Sequence, residues 1–221
     1  MAAVLLFFRA DLWRIAVATL RSLPGARWKS EDIDARMGWY IILGTIPISI
    51  FGVIFSGFIE DGARSLYVIG TMLIVFSFVM LVADRVGTRE RHIDSLNARD
   101  GLWIGLAQAL ALIPGVSRSG ATISAGLLRG FDRAAAARYS FLLSVPAVVL
   151  SGLFEARHIG GEGSVGLAPT LVATLLAFVT GYAAIAWLLR YLATHTLTVF
   201  IAYRIPLGIA VIALTAAGVI A

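Results

Sequence analysis

Five apolar stretches decide what this chain can fold into: Gly38–Phe58, Ser65–Ala83, Tyr139–Phe154, Leu167–Leu189 and Val199–Ala221. A helix needs about 20 mostly apolar residues to cross a bilayer. Tyr139–Phe154 is shorter, but no charge breaks it, and Pro146 marks a place where it can bend. Inside a bilayer every backbone polar group must be satisfied within the protein, so runs of this length are expected to be spanning helices. The chain is 59% hydrophobic and 14% charged, against about 45–50% and about 25% for soluble domains. That balance excludes a soluble globule and a disordered chain. With no cysteine there is no disulfide framework and no thiolate metal site. Arg9 and Asp11 follow the first apolar run, whereas a signal peptide carries its charge ahead of it, so none is expected.

The net charge of +5 reads as loop asymmetry, and no nucleic-acid partner is expected. Lys and Arg of short loops collect on the cytoplasmic side. The segments 9–36, 84–100 and 129–138, with Arg190, hold fourteen of the eighteen basic residues. The intervening loops hold only Arg64 and Arg157. Arg118 and Arg204 lie inside apolar stretches.

That orientation requires Gly101–Gly130 to begin and end on one side. Its arms, Leu102–Ile113 and Ala121–Leu128, flank a polar centre, and an arm of about a dozen residues gives about 18 Å of helix, too short for a core of about 30 Å. The segment is therefore expected to be a re-entrant hairpin whose tip sits midway through the membrane and lines a cavity. The predicted class is an all-α polytopic membrane protein, one integral domain over 1–221. If Met1–Phe8 ends a longer span, residues 1–100 are an incomplete first half and 101–221 a second half, as in an inverted repeat. A hairpin upstream of Met1 would then complete the first half, and the chain would be truncated or start at a wrong Met.

The tip reads Pro114-Gly115-Val116-Ser117-Arg118-Ser119-Gly120-Ala121-Thr122. Pro114 and Gly115 stop the first arm. Ser119 or Gly120 is placed to cap the second, which would begin with free N–H groups, an anion site. Arg118 adds a fixed charge and a fork able to hold phosphate by two bonds. Ser117, Ser119 and Thr122 add hydroxyls, and Gly120 permits close backbone approach. Arg118, Ser117 and Thr122 are thus the candidate catalytic residues. Gly115, Ser119 and Gly120 are the candidate substrate-binding ones. The competing reading is a packed polar loop with Arg118 snorkelling to water, which is awkward from the middle of a re-entrant segment.

The nonapeptide 114–122 resembles the second signature of the bacterial undecaprenyl-diphosphate phosphatases, the bacitracin-resistance membrane family. The resemblance extends to Gly38-Trp39-Tyr40 with Gly44-Thr45-Ile46-Pro47, to Arg91-His92-Ile93, to Ala107–Ile113, to Phe141-Leu142-Leu143 with Pro146-Ala147, and to Tyr203-Arg204. It implies two inverted halves, each with a re-entrant hairpin, in the bacterial cytoplasmic membrane, with the site open toward the outer face. It implies hydrolysis of undecaprenyl diphosphate to the monophosphate carrier of cell-wall synthesis. By position Arg118 would bind the phosphates, and Ser117 and Thr122 would hydrogen-bond them or position the attacking group. A divalent cation, Mg²⁺ or Ca²⁺, is implied as cofactor, but the first signature that would supply its ligands is absent here. No Glu or Gln stands four residues before a Glu. His92, His158 and His195 fall in predicted loops away from the tip.

Three other readings stand beside this one. An inactive truncated member fits the missing signature, and a transporter or flippase for an anionic lipid would also use an Arg-lined hairpin. The type-2 phosphatidic acid phosphatases need a His where Ser124 stands and are rejected. Self-association as a homodimer is left open. Arg204 is expected to snorkel, with bracing of the hairpin as its alternative. Asp84 with Arg85, and Asp132 with Arg133, are expected as solvated interface pairs. Gln108 is expected as a packing hydrogen bond between helices. Segment 9–21 is expected as an amphipathic helix on the cytoplasmic surface. The five tryptophans, Trp13, Trp28, Trp39, Trp103 and Trp187, are expected near the interfaces.

Overall fold

The computed structural model describes residues 1–23, 32–55, 57, 65–156 and 167–220. The segments holding Arg27, Trp28 and Lys29, Arg64, and Arg157 with His158 lie outside the described residues. Nine α-helices are described: α1 (Ala2–Phe7), α2 (Arg9–Ser22), α3 (Ile33–Ile54), α4 (Leu66–Val86), α5 (Ala98–Ala109), α6 (Arg118–Leu128), α7 (Arg133–Ala156), α8 (Leu167–Thr194) and α9 (Thr198–Ala216). Five of these, α3, α4, α7, α8 and α9, are long and apolar enough to cross a membrane. They correspond to the five apolar stretches, so the chain is an all-α, multi-pass membrane protein.

Helices α5 and α6 are the two arms of the hairpin, and the loops at its base are held together. Arg91 and Phe131 form a parallel bridge, in which Arg91 N–H donates to the Gly130 carbonyl at 2.9 Å and Asp132 N–H to the Arg91 carbonyl at 2.9 Å. Asp100, in the first turn of α5, is fully buried and paired with Arg129 at the end of α6, Nε to Oδ1 at 2.8 Å. Its other oxygen accepts from Arg91 Nη2 at 2.6 Å. Arg91 also lies over the Phe131 ring, 4.2 Å from the centroid. The start of the first arm and the end of the second therefore meet, and the segment turns back on itself.

Burial alone would push the Asp100 carboxyl up. The hydrogen bonds from Arg91 and Arg129, the Arg91 charge and the Asn97 N–H outweigh it and hold the group below the ordinary carboxylate range.

The first arm is longer than its apolar run. Asn97 caps α5 and closes a capping box with Asp100, so the arm begins four residues before Leu102. A short 3₁₀ turn, Leu110–Leu112, extends it. At the base, a Cβ on Gly87 would lie 2.6 Å from the Leu127 carbonyl; at the tip, a Cβ on Gly115 would lie 2.5 Å from the Ile69 carbonyl. The hairpin thus runs along α4 from Gly87, just past its end, to Ile69 in its first turn.

Glycines let the arms and spans approach to backbone contact. A Cβ on Gly105 of α5 would lie 2.4 Å from the Gly44 Cα of α3, and one on Gly208 of α9 would lie 2.7 Å from the Gly70 carbonyl of α4. Small residues at helix crossings are the usual solution in lipid, where packing replaces the hydrophobic effect. Tyr139 of α7 is 1% exposed and donates its hydroxyl to the Tyr40 carbonyl at 3.1 Å. These contacts seat the hairpin between α3, α4 and α7.

Asp84 and Asp132 do not make solvated pairs with their sequence neighbours. Asp84 is 5% exposed. It accepts from Arg133 Nε at 2.6 Å and from the Leu197 N–H at 3.1 Å, while its carbonyl accepts from Arg89. One carboxylate thus ties the ends of α4, α7 and α9. Asp132 pairs with His92 at 2.7 Å and caps α7 through the Ala135 N–H at 2.7 Å. Its sequence neighbour Arg133 reaches Asp84, because a helix sends adjacent side chains in different directions. Helix α2 packs beside the first turns of α3 and α7, with Trp39 Nε1 donating to Ser22 Oγ at 2.9 Å and Arg138 paired to Asp11 at 2.8 Å.

Candidate active site

At the tip the chain leaves the 3₁₀ turn and folds over Ile113, whose carbonyl accepts from the Val116 N–H at 3.2 Å. Gly115 has φ +93°, and both that angle and the contact with Ile69 require glycine there. Ser117 is also left-handed, φ +69°. For a residue with a Cβ this costs about 1–3 kcal/mol and persists only where the surroundings dictate it. The cap of α6 is Ser117, not Ser119 or Gly120: its Oγ accepts from the Gly120 N–H at 3.2 Å.

That arrangement leaves the N–H groups of Ser117, Arg118 and Ser119 without an acceptor among the described residues. Arg118 is half-buried, and its guanidinium has no hydrogen-bond or ion-pair partner there either. The hydroxyls of Ser117 and Ser119 lie 3.5 Å apart. The tip thus gathers free donors and a fixed positive charge at the start of a helix, where the macrodipole adds to them. The arrangement is complementary to an oxyanion with several oxygens.

Thr122 is placed differently from its neighbours. It is fully buried, and its hydroxyl donates to the Arg118 carbonyl at 2.8 Å and lies 2.6 Å from Ser140 Oγ of α7. Gly120 is buried against Met80 Sδ and Ser117. Thr122 therefore fastens the first turn of α6 to α7.

Arg204 does not snorkel. It is 5% exposed; Nη2 donates to the Gly115 carbonyl at 2.7 Å and the Val116 carbonyl at 3.3 Å, and Nε to Ser77 Oγ at 3.3 Å. The close α4–α9 crossing turns it inward. Gln108 is not a packing hydrogen bond among the described residues: it is fully buried, and neither amide atom has a partner. Asp100, Ser140 and the inward course of Arg204 escape a reading of the sequence by segments. The Asn97-to-Asp100 spacing was the visible signal for the first, and a charge inside an apolar run for the last. Nothing local marks Ser140.

Beside the tip runs a groove of about 680 Å³ between α3, α4 and the two arms. Phe51, Phe55, Leu106, Leu110 and Leu128 line it, and Ile113 and Ala121 bring it to either side of the tip. Its surface is almost wholly apolar. A divalent cation does not fit the tip itself, whose donor set is N–H groups, hydroxyls and a guanidinium. Among the described residues no three His, Asp or Glu lie together.

The chain matches the family model described as bacitracin resistance protein BacA over residues 1–210. An undecaprenyl-diphosphatase of Nocardioides sp. is 53% identical over 220 residues, covering 99% of this chain and 80% of that protein. One of Kineococcus radiotolerans is 53% identical over 98% of this chain and 77% of its own length. One of Mycolicibacterium smegmatis is 49% identical over 99% and 80%.

Proposed function

This chain belongs to the bacitracin resistance protein BacA family, and from that premise we propose that it hydrolyses undecaprenyl diphosphate to undecaprenyl phosphate and inorganic phosphate. The observation that carries the reading is the tip: free N–H groups of Ser117, Arg118 and Ser119 beside an unpaired guanidinium, at the mouth of an apolar groove. A lipid diphosphate has the two matching parts, a multiply charged head and a long apolar tail.

Phosphoryl transfer rests mainly on positioning and charge stabilisation. Arg118 and the α6 N–H groups hold the diphosphate oxygens and stabilise charge on the phosphoryl group as the anhydride bond breaks. Ser117 and Ser119 add hydroxyl donors. Gly115 lets the tip pack against Ile69 of α4, and Gly120 lets the first turn of α6 pack against Met80, which holds the donors in place. Thr122 acts as a positioning residue through Ser140 and the Arg118 carbonyl. The prenyl chain lies along the Phe51–Leu110 groove. Water supplies the new P–O bond, and the leaving group is the lipid monophosphate.

Orientation follows from charge. Arg85, Arg91, Arg99, Arg129, Arg133 and Arg138 lie at the hairpin base, which the positive-inside rule puts in the cytoplasm. The tip then faces the outer leaflet of the bacterial cytoplasmic membrane, where a lipid carrier is released after delivering its cargo.

The test is phosphate release from undecaprenyl diphosphate by the purified whole protein in detergent, with lipid translocation followed in vesicles. Release of inorganic phosphate supports the phosphatase. Movement of the intact diphosphate without release replaces it with a transporter for anionic lipid.

A further inference from the structure

Arg204 lies 89 residues from Gly115 in the chain, yet its guanidinium reaches the back of the tip. It binds two consecutive carbonyls there and is nearly inaccessible to water. It is also unlike Arg91, Arg129 and Arg133 at the hairpin base, which pair with carboxylates; among the described residues its partners are two carbonyls and the Ser77 hydroxyl. A buried cation held only by neutral groups is costly to keep in a membrane and marks function by default.

We infer that Arg204 is a positioning residue for the reaction: it clamps the Gly115 and Val116 carbonyls to the rear so that the Ser117 N–H and those following face the diphosphate. In a trans peptide the carbonyl and the N–H of the next residue point opposite ways. Fixing the Val116 carbonyl toward Arg204 therefore aims the Ser117 N–H the other way, toward the front of the tip. The left-handed backbone of Gly115 and Ser117 lies on either side of the clamped peptides, and the clamp holds that conformation. The charge acts as well. A cation on the carbonyl side polarises the peptide units and strengthens their N–H groups as donors. It also places a second positive charge behind that of Arg118.

The α4–α9 contact supplies the reach. Gly70 and Gly208 allow the two helices to touch at the backbone, and Ser77 holds Nε at the matching level of α4. Arg204 then has one rotamer that satisfies all three acceptors. Lysine at this position keeps the charge on a single donor nitrogen but loses the fork.

This inference rests on the phosphatase reading, and the experiment separates the two. The whole protein and its Arg204→Gln, Arg204→Lys and Ser77→Ala variants are purified in detergent. Phosphate release from undecaprenyl diphosphate and binding of inorganic pyrophosphate are measured, and folding is checked by thermal melting. Arg204→Gln is expected to lower kcat about 100-fold, as removal of one oxyanion donor does, and to weaken pyrophosphate binding about tenfold. Arg204→Lys is expected to recover at least tenfold of the lost kcat. Ser77→Ala, which removes the Nε acceptor and spares the carbonyls, is expected to lower kcat by at most about tenfold, the loss of one hydrogen bond. A folded Arg204→Gln within twofold of the parent in both assays overturns the inference alone. So does an Arg204→Lys no better than Arg204→Gln while Ser77→Ala is active. Parent protein that neither releases phosphate nor binds pyrophosphate overturns the phosphatase reading instead.

Discussion

Replacing Asp100 with alanine should loosen the hairpin at its base. The carboxylate is fully buried and accepts four hydrogen bonds: two from Arg91 at 2.6 and 3.2 Å, one from Arg129 at 2.8 Å and one from the Asn97 N–H at 3.2 Å. Charged hydrogen bonds are worth about 1.5–3 kcal/mol each when buried. The two arginine side chains are 28% and 40% exposed, so water recovers much of what they lose, and exposed pairs are worth only about 0.2–1 kcal/mol. Setting those limits against each other, and adding about 1 kcal/mol for the opened capping box, gives a loss of about 2–4 kcal/mol. For a chain of this length that is a fall of about 5–15 °C in Tm. Asp100→Asn, which keeps the shape and an acceptor, should lose about half as much. Melting in detergent reads both, and a cycle with Arg129→Ala tests the pairing, since the double variant should melt higher than the two single losses sum to. The sign with pH is set by a carboxyl held below its ordinary range. Its contribution is fully present above the unfolded value of about 3.9, and it fades as the pH falls through the lower folded value. An Asp100→Ala protein melting within 2 °C (about 0.5–1 kcal/mol) of the parent, or strictly additive losses, would refute the reasoning.

Other perturbations act on the tip and the arms. Arg118→Ala should lower phosphate release by about 10²–10³ without moving Tm, as loss of one oxyanion donor does. Equal turnover would show that the guanidinium does not hold the diphosphate. Gly105→Ala places a Cβ 2.4 Å from the Gly44 Cα, and overpacking of this kind costs about 1–3 kcal/mol, visible as a lower Tm with the hairpin displaced from α3. Ser117→Ala removes the cap of α6 but keeps the left-handed backbone angle, for a loss of about 1 kcal/mol. Ser117→Gly also removes the cap but relieves the angle and should melt higher than Ser117→Ala.

The spans were legible because lipid demands length, and length survives in a sequence without any knowledge of partners. The hairpin was legible because two arms too short to cross sit between loops of one charge sign. The full length of its first arm was not, since Asn97 and Asp100 start that arm before the apolar run begins. Pairings across distant segments were equally hidden. Asp84 meets Arg133 rather than its neighbour Arg85, and Arg204 faces the protein because Gly70 and Gly208 bring two helices together. Position along one span says how far a side chain is from water, but which way it points depends on the other helices. The free donors at the tip were readable from Ser117, Arg118 and Ser119, while the separation of Thr122 from them depended on Ser140, a serine with no local signature.

Helix α9 carries the clamp for a loop made 89 residues before it. The two arms cannot hold themselves in lipid, and the carbonyls of Gly115 and Val116 stay unfastened until α9 is in the bilayer. A nascent chain therefore makes α7 and α8 with the tip still unbraced, and the tip gains its brace only once Arg204 has followed.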